Sequence, residues 1–105
     1  MIALNILYPA KEGAYFDSGY YFDRHMPSMV QKLRNSLRGM TLAQGLNRGR
    51  AHSRPHYFAV CELLFDSTDA AQAVFAAHDE ALGEDVHNYT DVKPVMQISE
   101  VKARS

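Results

Sequence analysis

The chain has 105 residues, 47% hydrophobic and 22% charged, and a formal net charge of −1 from 11 basic and 12 acidic side chains. This length and balance predict one globular domain spanning residues 1–105, and they exclude a disordered chain. Apart from a loose group at Arg48, Arg50 and Arg54, the basic residues are dispersed, so we expect no nucleic acid partner.

No stretch of the sequence approaches the roughly 20 apolar residues that a membrane span requires. Residues 1–11 also lack the basic start and the long apolar run of a signal peptide. Cys61 is the single cysteine and lies in an apolar run, which predicts a buried, inert thiol in a reducing compartment. We therefore expect a cytoplasmic protein without membrane association.

The N-terminal half predicts a strand, two consecutive helices and a second strand. Residues 2–8 alternate between apolar and other side chains with the period of a strand. Asp17 is placed to cap the first helix, and Pro27 suits the first turn of a second helix that should end near Leu37. Residues 40–46 alternate again and predict the second strand.

The C-terminal half predicts two further strands with a helix between them. Residues 47–55 are typical of an exposed hairpin loop, and the apolar run 56–65 predicts a central strand packed on both faces. Asp66 or Ser67 should cap the next helix. The residues predicted to share one face of that helix are Ala71, Val74, Phe75 and His78. A short helical piece and a last strand, beginning near Pro94, complete the chain.

The resulting order β-α-β-β-α-β predicts a ferredoxin-like α+β fold, with a four-stranded antiparallel sheet and two helices on one face. Such a sheet leaves its other face open. The apolar strand residues on that open face then require a partner.

Aromatic, hydroxyl and imidazole groups concentrate between Tyr15 and Leu33. Within a helix, Tyr21 and His25 are four residues apart and lie on one face. Pro27 disfavours α geometry at Met26, so the sequence predicts a kink or break beside His25. A histidine at such a break can leave the packed surface and face a cavity.

His25 is the strongest candidate for a general acid or base, because an imidazole titrates near neutral pH. The structural alternative is a histidine that caps the first helix or bonds to a carbonyl group. Tyr21 is predicted to orient His25 or to donate a proton to a substrate oxygen. Tyr20 and Tyr89 carry the other candidate hydroxyls, although each could equally be a core residue. A shift of one residue in helix phase exchanges Tyr20 and Tyr21, so the sequence leaves open which of them faces the site.

Methionine and phenylalanine side chains could line an apolar pocket for a small molecule or could form ordinary core. The residues predicted to contact such a ligand are Tyr89, Met29, Phe58 and Met96.

Patterns for cofactors, metals and nucleophilic catalysis are absent from the sequence. There is no glycine-rich dinucleotide or phosphate motif and no serine nucleophile elbow. His52 and His56 are four apart, but Pro55 between them excludes a regular helix. Glu84 and His87 fit a helical i, i+3 pair without the further carboxylates that a metal site requires. We expect neither a metal nor a cofactor.

The run YYFDRHMP, from Tyr20 to Pro27, resembles the signature of the EthD family, named after a protein of ethyl tert-butyl ether degradation. The likeness covers nearly the whole chain. It continues in residues 39–41 and 45–46, in 57–59 and 64–67, and in 88–90 and 94–98. The resemblance implies a homodimer in which two sheets form a dimeric α+β barrel, and it supports His25 as a site residue.

Proteins with similar barrels include lactone isomerases, polyketide cyclases and cofactor-free monooxygenases, and some bind haem. The first hypothesis is therefore a small cofactor-independent enzyme that uses His25 for acid/base chemistry on a hydrophobic, oxygenated or aromatic small molecule. It would act as an isomerase, dehydratase, cyclase or monooxygenase. The second hypothesis is a non-catalytic small-molecule binding protein, an accessory of an oxygenase or degradation pathway. Haem binding, with His25 as axial ligand, is a third and weaker hypothesis.

Overall fold

A computed structural model of the chain describes residues 1–77 and 83–105. In these ranges the elements are β1 (Ile2–Pro9), α1 (Ser18–Tyr20), a π-helical segment (Tyr21–His25), α2 (Met26–Leu33), β2 (Gly39–Gln44), β3 (Tyr57–Phe65), α3 (Thr68–Ala77), α4 (Gly83–Val86) and β4 (Val95–Glu100). His78, which was predicted on the face of the third helix, lies outside the described residues. No helix in these ranges is long and apolar enough to cross a membrane.

The four strands form one antiparallel sheet in the order β2-β3-β1-β4. This order, together with the helices between strands, confirms the predicted ferredoxin-like α+β fold. Leu4 in β1 is paired with Leu63 of β3 on one side and Ile98 of β4 on the other. The two strands at the centre of the sheet, β1 and β3, therefore carry the middle of the core, as predicted for β3.

The core lies between one face of the sheet and the helices. The predicted alternation of β1 is confirmed, because Leu4, Ile6 and Tyr8 are buried and belong to one apolar cluster. The cluster also contains buried residues of the helices, namely Met26 and Met29 of α2 and Ala71 and Val74 of α3. Burial of such side chains is the main contribution to the stability of a domain of this size.

The prediction that β3 is packed on both faces is confirmed only in part for the isolated chain. Cys61 and Leu63 are fully buried against the helices. On the other face Leu64 is also fully buried, whereas Val60 is 36% exposed. Val95 on β4 is 51% exposed. The helices cover only one face, so the apolar run of β3 exceeds what a single chain can bury.

The helical interruption before α2 has a different form from the predicted kink. Met26 keeps α geometry, with φ −67° and ψ −41°, and its N–H donates to the carbonyl of Tyr21, five residues back. A proline ring normally clashes with the carbonyl four residues earlier. The wider π turn before Pro27 relieves that conflict, so the helix continues without a break.

Three local predictions are also refined. α2 ends at Leu33, not near Leu37, because Arg38 must already be extended to donate its N–H to the carbonyl of Leu64, at 2.7 Å. Ser67 caps α3, since its Oγ accepts from the N–H of Ala70 at 3.2 Å. Phe75 is 38% exposed and does not join the core, because Ala71 and Val74 take the face of α3 that meets the sheet.

The predicted helix cap at Asp17 is confirmed. Its Oδ1 accepts from the N–H of Tyr20 at 3.0 Å, and its backbone is extended. We expect Asp17→Ala to lower the free energy of unfolding by about 1 kcal/mol, because the N–H loses its partner. Urea denaturation measures the change. Asp23→Ala is the matched control, since Asp23 is exposed on the same helical stretch. Equal effects of the two substitutions would contradict the capping role.

Candidate functional site

The carboxylate of Asp85 contacts two polar side chains of residues 15–33, those of His25 and Tyr20. His25 Nδ1 lies 2.8 Å from Asp85 Oδ2, and the Tyr20 hydroxyl donates to Asp85 Oδ1 at 2.7 Å. Asn88 Nδ2 donates to the same Oδ1 at 2.9 Å. His25 is only 2% exposed, whereas the side chain of Asp85 is 33% exposed. The site is therefore an enclosed imidazole whose partner carboxylate reaches the surface.

The π-helical segment explains how Tyr20 and His25 reach one carboxylate. In a regular α-helix, residues five apart point about 140° away from each other, since each residue turns by about 100°. A π turn brings residues five apart together, because its hydrogen bonds join i and i+5. Asp85 and Asn88 are three apart, and α4 and its last turn present both toward Tyr20.

Asp85 is ionised at neutral pH. Partial burial alone would raise its pKa, but the hydrogen bonds from Asn88, Tyr20 and His25 outweigh burial and lower the pKa to about 2. The same contact raises the pKa of Tyr20, because its hydroxyl proton is held by the carboxylate. Tyr20 therefore acts here as a neutral donor and Asp85 as the acceptor.

The ionised carboxylate fixes the state of the imidazole ring. An acceptor-only Asp85 requires a proton on His25 Nδ1, so the lone pair of the neutral ring is on Nε2. The contact with Asp85 is made by Nδ1, which leaves Nε2 as the ring nitrogen for a substrate. A histidine oriented by a carboxylate in this way can take a proton at Nε2, and the carboxylate then stabilises the resulting imidazolium.

Aromatic rings enclose the imidazole. Tyr21 stacks on His25 with ring centroids 5.7 Å apart and planes 18° apart, and the Tyr89 ring centroid lies 4.7 Å from that of His25. Burial, followed by the neighbouring Cys61 thiol, raises the pKa of Tyr21. Burial also raises the pKa of Cys61 to about 12, which agrees with the predicted inert thiol. Tyr21 thus supports the ring by stacking, and Asp85 provides the orienting hydrogen bond.

Beneath His25, two tyrosine hydroxyls pair inside the core. Tyr8 and Tyr89 lie 2.6 Å apart, oxygen to oxygen, and both rings are buried. Burial raises the pKa of Tyr8 to about 12 and also raises that of Tyr89. Both tyrosines therefore remain neutral over the physiological range, and the pair forms a fixed floor for the site.

The remaining predicted ligand residues occupy the core around this floor. Met29 is buried, and Phe58 and Met96 are half-buried against the same apolar cluster as Tyr89. Phe58 stacks on Phe16 with centroids 5.2 Å apart. Met29, Phe58 and Met96 are not part of the hydrogen-bond network around Asp85. Any contribution of theirs to ligand binding would come from the shape of the apolar surface.

Sequence reasoning missed Asp85. It lies 60 positions from His25, and no spacing rule connects residues so far apart. The signal in the sequence is the i, i+3 pair of Asp85 and Asn88, one position beyond the i, i+3 pair of Glu84 and His87. In the described part of the chain, no group of three or more His, Cys, Asp or Glu residues is placed to hold a metal ion.

Solved structures of low sequence identity show that the fold of this chain occurs in other proteins. A dimeric protein of unknown function with a ferredoxin-like fold, from Bacteroides fragilis, is similar in structure with a TM-score of 0.59, 12% identity and 95% of each chain covered. An ethyl tert-butyl ether degradation (EthD) family protein from Bacillus halodurans aligns with a TM-score of 0.67 and 22% identity, over 96% of this chain and 98% of the other.

An EthD-like protein from Ralstonia eutropha JMP134 is 38% identical, with 99% of this chain and 94% of the other covered and a TM-score of 0.88. The model of the EthD domain matches residues 16–93. The chain therefore belongs to the EthD family. No curated protein matches it.

The hydroxyl pair in the core can be tested by a double-mutant cycle on Tyr8→Phe and Tyr89→Phe. Each single substitution should cost about 1–3 kcal/mol of stability, because it leaves the other hydroxyl buried without a partner. The double variant should cost less than the sum, with a coupling of about 1 kcal/mol. Urea denaturation supplies all four values, and Tyr57→Phe on the exposed side of β3 is the control. Strict additivity would show that the two hydroxyls do not interact.

Acid titration tests the Asp85 network. Its folded-state pKa of about 2 lies below the ordinary 3.8, so ionised Asp85 stabilises the fold above pH 3.8. That stabilisation should disappear as the pH falls from about 5 toward 2. Asp85→Asn should be less stable at neutral pH and should lose less stability over this range. Asp23→Asn, an exposed control, should follow the wild type. Parallel curves for Asp85→Asn and wild type would contradict the assignment.

Proposed function

We propose that this EthD family member is a small, cofactor-independent enzyme that uses His25 as its acid/base group on a hydrophobic, oxygenated small molecule. The observation that carries the proposal is the 2.8 Å contact between the enclosed imidazole and Asp85. Sites that transfer protons place titratable groups with a fixed partner and little access to water.

Nε2 of His25 is the atom that would take the proton. Removal of a proton from carbon beside a carbonyl sends the electron pair to the carbonyl oxygen and gives an enolate. The imidazolium, held by Asp85, then returns the proton at another atom. Return to a different carbon completes an isomerisation, and return to a departing hydroxyl completes a dehydration.

Tyr20 and Asn88 act through Asp85 in this scheme. Both donate to Oδ1, while His25 faces Oδ2. They hold the carboxylate in place and keep it ionised, so they are positioning residues. Asp85 positions the ring in the same sense, and among these four residues His25 is the one proposed to exchange a proton with the substrate.

The walls of the site favour a planar, largely apolar substrate. The rings of Tyr21 and Tyr89 pack on His25, and Phe16 packs on both tyrosines at 5.2 and 5.8 Å between centroids. Aromatic walls contribute stacking and exclude water. Because His25 is 2% exposed, a substrate reaches Nε2 only after neighbouring side chains move.

The second candidate function is binding without turnover, as expected of an accessory protein in a degradation pathway. The contact with Asp85 supports it equally, since an imidazole with a fixed tautomer can hydrogen-bond a ligand without taking its proton. In that case His25 would hydrogen-bond a ligand that is later recovered unchanged.

We also propose that two copies of the chain associate through the open face of the sheet. Val60 and Val95 expose apolar surface on that face, and such surface is usually covered in a stable assembly. The structural relative from Bacteroides fragilis is described as dimeric, which supports association in pairs.

Ligand screening by thermal shift, followed by turnover assays, tests the acid/base role. The panel contains aromatic lactones, phenols and polyketide-like acids, and the variants are His25→Gln and Asp85→Asn. For a compound that is converted, we expect His25→Gln to lower kcat by about a hundredfold or more, because the proton acceptor is lost. His87→Gln, an exposed histidine in the neighbouring segment, is the control and should keep wild-type activity.

The Asp85→Asn variant tests whether Asp85 positions His25 for proton transfer or contributes to substrate binding. It should lower kcat with little change in KM, because the ring keeps its place but loses the fixed tautomer. Asp85→Glu should recover part of kcat. A compound that stabilises the wild type but is recovered unchanged, with equal binding by His25→Gln, would replace the catalytic role with the binding one.

A further inference from the structure

A second polar site lies between the turn after β1 and the hairpin that joins β2 to β3. This cleft has a volume of about 250 Å³. The residues that line it are Ala10, Glu12, Arg48, Arg54, Pro55 and His56. It shares no residue with the His25 network.

Hydrogen bonds within the protein fix the walls of this cleft. The N–H of Ala10 donates to the carbonyl of His56 at 2.9 Å, which holds the two sides together. Within the hairpin, Ser53 Oγ accepts from the N–H of Arg48 at 2.9 Å and donates to the carbonyl of Arg50. The backbone on both sides of the cleft is therefore held in place before any ligand enters, which reduces the part of the entropic cost of binding that comes from ordering the loops.

The cleft carries an excess of positive charge. Residues 39–61 contain no acidic side chain, and this stretch includes Arg48, Arg50 and Arg54. In the described part of the chain, the ion pairs are His25–Asp85, Arg38–Asp66 and Lys102–Glu100, so neither arginine of the cleft is paired. Glu12 is the single acidic residue among the lining groups.

We propose that this cleft binds a small oxyanion through the guanidinium groups of Arg48 and Arg54 and the imidazole of His56. Guanidinium groups donate two parallel hydrogen bonds to carboxylate or phosphate oxygens. Ala10 and Pro55 provide apolar wall for the hydrocarbon part of an organic acid. The site depends on none of the residues of the proposed catalytic function, so it stands or fails independently of it.

Size and charge select among the possible anions. A volume of about 250 Å³ is below the range of about 300–1,000 Å³ typical of drug-sized ligands. Glu12 repels a second negative charge and accepts a hydrogen bond from a neighbouring hydroxyl. A monoanionic carboxylate with an adjacent hydroxyl therefore fits better than a phosphate dianion.

Isothermal titration and amide NMR shifts test this site, with salicylate, its neutral amide and inorganic phosphate as probes. Salicylate should bind to the wild type and should shift the amide signals of residues 10 and 56. Arg48→Gln and Arg54→Gln should each weaken binding about tenfold or more, because each removes charged hydrogen bonds. Arg50→Gln removes the same charge from the same hairpin outside the cleft, and it should leave binding nearly unchanged.

The probes separate the possible results. Stronger binding of salicylate than of phosphate, with no binding of the amide, supports the carboxylate site. Preference for phosphate assigns the cleft to a phosphate-bearing ligand and overturns the role of Glu12. Equal losses in Arg48→Gln, Arg54→Gln and Arg50→Gln would show diffuse attraction to a basic surface and overturn the site. Salicylate shifts centred on residues 20–25 would also overturn it.

Discussion

The carboxylate of Asp85 is the one group on which the arrangement of the site depends. It accepts from Tyr20 and Asn88 on one oxygen and contacts His25 on the other. Hydrogen bonds to an ionised acceptor are roughly twice as strong as neutral ones. Without this carboxylate, the enclosed imidazole would lose the hydrogen bond that sets its tautomer, and the 85–88 segment would lose its two shortest polar contacts with the first helices.

Further bonds reinforce the link between these two regions of the chain. Thr90 Oγ1 donates to the carbonyl of Tyr15 at 2.6 Å, and the N–H of Asp17 donates to the carbonyl of Tyr89 at 2.7 Å. The segment after α4 is thus attached along its length to the residues that begin α1. Tyr89 is consequently fixed on both sides, with its backbone bound to Asp17 and its hydroxyl bound to Tyr8.

Much of the fold could be predicted from local patterns, because strand alternation and helix capping depend on residues close in sequence. The inward residues of β1 and the cap at Asp17 are examples. Asp85 could not be predicted in this way, because its contacts form only after chain segments 60 positions apart are brought together. Tyr20 is a candidate from the sequence, but the choice between it and Tyr21 could not be made there. The meeting of Tyr20 with His25 at one carboxylate requires a π turn, which an α-helical period does not contain.

The same π turn sets the angular relation between the two halves of the helical stretch. One extra residue per turn displaces everything before it by about 100° relative to α2. Tyr20, the aromatic residue of α1, is thereby offset in phase from the buried methionines of α2, although the backbone runs through continuously. Deletion of one residue from this turn would rotate Tyr20 by about 100° away from Asp85 while leaving α2 in place. A member of this fold can therefore keep both contacts with one carboxylate only if the number of residues between Tyr20 and α2 stays constant.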